Sequence, residues 1–173
     1  MKHFLIGIGL ACAAAAGGAV PVEHRVAGLA SEVRDASGTV VAYVRATEVA
    51  GGVRLRITAS RLPPGVHGIH IHAVGRCDAP DFASAGPHWN PGGRQHGRAN
   101  PQGMHKGDLP NLHVGADGRG RLDATVAGAA LGGSGGLLDA DGSSVVIHAS
   151  PDDEHSDPSG NSGARIACGV LNY

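Results

Sequence analysis

The sequence predicts an all-β fold, an antiparallel sandwich or flattened barrel with two long functional loops. Three observations predict it. Short apolar runs alternate with polar residues at a period of two, turn-forming pairs separate them, and no convincing amphipathic helical period occurs. The 29 glycines and 10 prolines among 173 residues argue for turns rather than for a helical bundle. Aromatic residues make up only 3%, so the core must be built from Val, Ile, Leu and Ala.

In chain order, residues 1–19 read as a cleavable export signal. Lys2 and His3 give a short basic start, Phe4 to Ala16 is apolar, and small residues follow at Ala14-Ala15-Ala16 and Gly17-Gly18-Ala19. A buried N-terminal helix is the alternative, opposed by apolar residues all round and the break at Gly17, Gly18 and Pro21. A lipoprotein signal ending at Cys12 is a minority reading that Gly9 fits poorly, since a branched apolar residue is expected there. Residues 20–173 are read as one domain. Val40 to Val44 is a strand, Gly51-Gly52 a hairpin-type turn, and Val53, Leu55, Ile57 and Ala59 alternate with Arg54, Arg56 and Thr58 as the cleanest strand of the chain. Val66 to His72 is an apolar, alternating run. Asp117-Gly118 turns into Arg121 to Val126, and Asp141-Gly142 into Ser144 to His148. Two stretches, Gly75 to Pro110 and Ala149 to Ala164, do not look like strands. Loops of that length are usually functional or disordered, and these hold most of the metal-type residues.

The formal charge of −1 offers no basic footprint for nucleic acid. No membrane-spanning stretch follows the first twenty residues, so a membrane role is expected only if Cys12 is lipidated. Removal of the signal takes Cys12 and leaves Cys77 and Cys168. In an oxidising compartment two distant cysteines usually pair, which would contribute roughly 4 kcal/mol in the chain-entropy model. Two free buried thiols would suit a cytosolic protein better.

The most informative stretch is His70-Ile71-His72. In a strand the two imidazoles share a face, about 7 Å apart, and make half of a metal site. His88 sits between Pro87 and the Asn90-Pro91 pair, which stiffen the backbone around it. His96, His105 and Asp108 follow. The set His88, His96, His105 and Asp108 offers three nitrogens and an oxygen, which suits tetrahedral zinc. The set His70, His72, His88 and His148 offers four nitrogens, which suits tetragonal copper. His88 stands in both sets, and a deprotonated imidazole can bond one metal through each nitrogen.

Gly68-Ile69-His70-Ile71-His72, Gly86-Pro87-His88-Trp89-Asn90-Pro91, His105-Lys106-Gly107-Asp108-Leu109-Pro110-Asn111 and Gly160 to Val170, taken in this order, resemble the copper,zinc superoxide dismutases, most of all their exported bacterial branch. The resemblance runs from about Val26 to Leu171. It implies a Greek-key β-sandwich or flattened barrel, a periplasmic location, and dismutation of superoxide to dioxygen and hydrogen peroxide. The chemistry would be one-electron cycling of a copper ion bridged through His88 to a structural zinc. By the resemblance His70, His72 and His148 bind copper, His88 bridges, and His96, His105 and Asp108 complete the zinc site. Cys77 and Cys168 form a disulfide, Arg165 attracts the anion beside copper, and Asp152 orients one histidine of each site. His67 is structural and bonds backbone; His24, His113 and His155 are exposed and unliganded. Bacterial members occur as dimers and as monomers, and the sequence leaves a homodimer open.

Each role has a plainer competitor. Arg165 could pair with an acid between Asp152 and Asp157, and Asp153 competes with Asp152. The loop Pro151 to Ser159 lacks the lysine that guides substrate in the eukaryotic branch, leaving Lys106, Arg94 and Arg98 as open candidates. Two other function classes stand against the enzyme: a non-catalytic copper or zinc module, and a purely structural secreted β-domain. The complete ligand set and Arg165 disfavour both.

Overall fold

The structure, a computed structural model, describes residues 28–172. The export signal, Cys12, His3 and His24 lie outside the described residues. Among the described residues nine strands form one antiparallel sheet: β1 (Gly28–Asp35), β2 (Val40–Val49), β3 (Gly52–Ala59), β4 (Gly65–His67), β5 (Ile69–His72), β6 (Leu112–Val114), β7 (Gly120–Ala127), β8 (Ser143–His148) and β9 (Arg165–Leu171). Among the described residues the only helical element is a single 3-10 turn at Ala83–Ala85.

The spatial order is β4-β6-β7-β3-β2-β1-β9-β8-β5. The two edge strands, β4 and β5, follow each other in the chain with only Gly68 between them, so the sheet curls into a nearly closed flattened barrel. Two crossing connections, β3 to β4 and β7 to β8, give the Greek-key path. The run read from the sequence as one alternating strand, Val66 to His72, is thus divided: β4 pairs with β6 and β5 with β8. Gly68 stands at the corner, donating to Ser150 O and accepting from His148 N, both at 2.8 Å. A Cβ on Gly68 would lie 2.8 Å from the Ser162 side chain, so the corner takes only glycine without a shift.

Alternation builds the barrel. Leu55 and Ile57 of β3, Val44 of β2 and Val33 of β1 point inward and are essentially solvent-free, while Arg54 and Arg56 point out and share Asp123 across the sheet. The core is aliphatic, as the composition requires, with Leu131 and Leu137 of the 128–142 connection plugging it. A second, smaller cluster of Phe82, Ala85, Val146 and Cys168 fastens the first long loop to β8 and β9. Burial of such apolar surface, at about 25 cal/mol per Å², is what holds both long loops against the barrel.

Candidate metal centre

Strand β5 carries the first two imidazoles and is buried on both faces. Ile69 and Ile71 enter the core, whereas His70 and His72 face outward, into the covering loops. Those loops dock on β5 through backbone bonds: Ile71 N donates to Gly107 O at 2.9 Å, and Trp89 N donates to Ile71 O at 2.8 Å. Bridges of His72 with His88 and of His70 with Asp108 extend this pairing. Gly107 permits it, because a Cβ there would lie 2.3 Å from Ile71 O. The next strand, β8, ends in His148, so four imidazoles converge on one end of the barrel.

The tautomers follow from the hydrogen bonds. His72 Nδ1–H donates to Gly86 O at 2.8 Å, and His148 Nδ1–H to Gly163 O at 3.1 Å. His70 Nε2–H donates to Asp152 Oδ2 at 2.7 Å. His88 Nδ1 lies 3.0 Å from Asp108 Oδ1. The other nitrogens, His70 Nδ1, His72 Nε2, His88 Nε2 and His148 Nε2, are buried and have no hydrogen-bond partner among the described residues. One ring nitrogen from each of these four residues lies within 4.8 Å of the others. Buried lone pairs without a partner are costly, and four aimed at one point fit a cation with a preference for imidazole.

A second group lies on the other side of His88. His96 Nδ1, a further buried nitrogen without a hydrogen-bond partner, is 3.0 Å from Asp108 Oδ1. His105 Nδ1 stands 3.3 Å from both His88 Nδ1 and Asp108 Oδ1. Three nitrogens and one carboxylate oxygen fit zinc. The tightest four-atom group on this side contains His70 with His88, His96 and Asp108 rather than His105. His70 enters it because its ring stacks on His88 at 4.0 Å. Its Nε2 is engaged by Asp152, so its free nitrogen belongs to the first group.

Asp152 ties the two groups together, because Oδ1 accepts from His96 Nε2 at 3.0 Å while Oδ2 holds His70. Its neighbour Asp153 is exposed and caps the loop instead, accepting from His155 N and Ser156 N. Gly160 makes room for the carboxylate: at φ 61° it lies so close that a Cβ would sit 1.8 Å from Asp152 Oδ1. Asn111, quoted in a motif but given no role by the sequence, pins Asp152 with two 2.8 Å bonds to its backbone.

Burial drives the imidazoles toward neutrality: His72 falls to about 2, His148 to about 3 and His88 to about 4. His96 is opposite. Burial would lower it, but Asp108 and Asp152 outweigh that and raise it to about 9. Burial would raise Asp108 and Asp152, but their histidine and backbone donors hold both well below the usual carboxylate range.

Arg165 bonds no acid among the described residues. It donates to Phe82 O at 2.7 Å and to Gly86 O at 2.8 Å, the second being the same carbonyl that fixes His72. Cys77 and Cys168 form the disulfide. His67 lies with Nδ1 2.8 Å from the His148 carbonyl and Nε2 2.9 Å from the Pro63 carbonyl, and His113 and His155 are exposed. Of the three steering candidates, Lys106 donates to Gly128 O, Arg98 pairs with Glu154, and Arg94 lines a cleft with His88, His105, Asp139 and Asp157.

The sequence profile of the family described as copper/zinc superoxide dismutase (SODC) matches residues 36–171. The copper-zinc superoxide dismutase of Caulobacter vibrioides is 43% identical over 143 residues, covering 80% of this chain and 82% of that one. A solved double mutant of a SOD-like protein from Bacillus subtilis superposes with a TM-score of 0.79 at 44% identity, covering 83% of this chain and 97% of the other. The copper/zinc superoxide dismutase from Brucella abortus superposes with a TM-score of 0.66 at 28% identity, covering 84% of this chain and all of its own. With the match running over most of the barrel and both long loops, the chain belongs to the copper/zinc superoxide dismutase family.

Proposed function

We propose that this chain dismutates superoxide, holding copper on His70, His72, His88 and His148 and zinc on His88, His96, His105 and Asp108. Two superoxide anions and two protons give one dioxygen and one hydrogen peroxide. Copper supplies reversible one-electron transfer when bound, and zinc, which has no redox chemistry, supplies charge and fixed geometry. The chain's own residues do the rest. Arg165 presents a fixed guanidinium to the anion, and its two carbonyl partners hold it in place. His88 Nε2 is the atom that can hold a proton and pass it to the reduced product, while Nδ1, beside His105 and Asp108, would remain with the zinc ligands. Asp152 orients one ring of each group, so that displacement at one site is felt at the other.

The observation that carries this reading is the set of four buried, unpartnered ring nitrogens, each opposite a nitrogen already committed to a hydrogen bond or to Asp108. A non-catalytic metal module or a structural β-domain has no use for Arg165 at the edge of that group. His148→Ala tests it: copper content and superoxide removal should both be lost while zinc is retained. Full activity in that variant would reject the assignment of His148.

We also infer export to the periplasm. The leader over residues 1–19 and the Cys77–Cys168 disulfide support it, since disulfides persist in oxidising compartments. The mass of the mature protein tests this reading. Cleavage near residue 19 is expected, an intact N-terminus would contradict it, and a lipidated Cys12 would replace the soluble form with an anchored one.

A further inference from the structure

A cavity of about 530 Å³ opens beside Arg165, lined by Pro80, Asp81, Ala83, Gly163, Ala164 and Arg165. Gly163 is the residue whose carbonyl fixes His148, so the cavity leads toward the first metal group. Among the described residues Arg165 is the only cation in its lining and Asp81 the only acid. An exposed carboxylate beside the one fixed positive charge opposes the capture of an anionic substrate, and nothing in the reaction as described calls for it.

Asp81 also has a local task. Its Oδ1 accepts from Ala83 N at 3.1 Å, closing an Asx turn around Phe82. Phe82 is held at φ 55°, a left-handed conformation that a bulky side chain adopts only under constraint. Its ring is buried in the small cluster with Val146 and Cys168. With the ring anchored and the turn closed, the Phe82 carbonyl is presented to Arg165 Nη1 at 2.7 Å. The chain thus runs from the Asp81 oxygen through the turn to the guanidinium.

We propose that Asp81 is a positioning residue for Arg165 whose negative charge also restrains the entry of superoxide. Its oxygen and its charge act in opposite directions. The oxygen keeps Arg165 aimed, which speeds capture; the charge weakens the local positive field, which slows it. The inference rests on the proposed dismutase reading.

The two effects separate in two variants. Asp81→Asn keeps an oxygen acceptor and removes the charge. Across a cavity of this size, at separations of about 5–10 Å in water, a unit charge changes the local concentration of a monovalent anion about two- to fourfold, so this variant should consume superoxide about two- to fourfold faster per bound copper at low salt. The gain should vanish near 1 M salt, where screening extends only about 3 Å. Asp81→Ala removes oxygen and charge together and should run slower than Asp81→Asn at every ionic strength. Asp117→Asn, on the β6–β7 turn, is the control for net charge and should leave the salt profile unchanged. A purely structural role for Asp81 would alter stability and copper content but not the salt dependence of the rate per copper.

An Asp81→Asn rate and salt profile equal to the unsubstituted protein's would overturn the charge half of the proposal. Equal rates for the Ala and Asn variants would overturn the positioning half. Failure of the unsubstituted, metal-loaded protein to turn over superoxide would instead remove the proposed function, so the two failures are distinguishable.

Discussion

Acidifying the metal-free protein should destabilise it steeply, because the site stores neutral imidazoles. His72, His88 and His148 are buried and titrate at about 2, 4 and 3, whereas an unfolded histidine titrates near 6.5. Below pH 6.5 the unfolded chain therefore takes up three protons that the folded chain refuses. Stability then falls with falling pH. His70, lowered in the same direction by burial, adds to the effect. His96 has the opposite sign: raised to about 9, it contributes stability that is full below pH 6.5 and lost as pH rises through 9. Between pH 6.5 and 5 its further gain is small, and the three lowered histidines together remove about 5 kcal/mol. For a domain of this size that corresponds to a drop in Tm of roughly 10 °C. The optimum for the metal-free form should lie between about pH 6.5 and 7.5. The assay is thermal unfolding of chelator-treated, disulfide-intact protein followed by circular dichroism across pH 5–9. A Tm that is flat or rises between pH 6.5 and 5 would refute the reasoning, since it would mean that these rings accept protons in the folded state.

Three further outcomes are expected. Asp108→Ala should abolish the rise in Tm produced by zinc and leave the 97–105 region open to proteolysis, because the carboxylate also accepts from Gly97 N and His105 N; an undiminished zinc effect in scanning calorimetry would contradict it. Ser31→Ala should stabilise the protein by about 1 kcal/mol, seen as a higher urea midpoint, because the Ser31 hydroxyl is buried on the core face of β1 without a hydrogen-bond partner. Cys168→Ser should cost about 4–5 kcal/mol, measured by denaturant titration, because the disulfide closes a loop of 91 residues in sequence separation.

Much of the barrel was legible because its central strands obey simple alternation. Val53, Leu55, Ile57 and Ala59 all face inward, as their spacing requires, and the Gly51 and Gly118 turns fall where expected. β1 was not legible. Its inward face is Leu29, Ser31 and Val33 and its outward face includes Ala30, so the contrast between faces is weak. β9 was hidden for a related reason: Ala167, Cys168 and Gly169 are small because the strand lies tight against β1, where a Cβ on Gly169 would come 2.6 Å from Glu32 O. The division at Gly68 could not be read from periodicity, since the chain changes partners there without changing its pattern.

The metal-type side chains announced themselves through spacing and motif. Their tautomers did not, because the groups that fix them are the backbone carbonyls of Gly86 and Gly163, which carry no signal in a side-chain pattern. The anchoring of Arg165 by Phe82 and Gly86 was hidden in the same way, and the acid partner considered for it from residues 152–157 is not used. Asn111 could have been found: a polar residue after Leu109-Pro110, close to the candidate ligand Asp108, is a natural partner for loop backbone.

The most direct measurement is the number of superoxide anions consumed per copper by protein loaded with copper and zinc, followed by stopped-flow before and after chelation. Sustained turnover far beyond one equivalent, lost with the metals and restored by returning both, is the result expected of the paired histidine groups. Consumption that stops at one equivalent in fully loaded protein would contradict it.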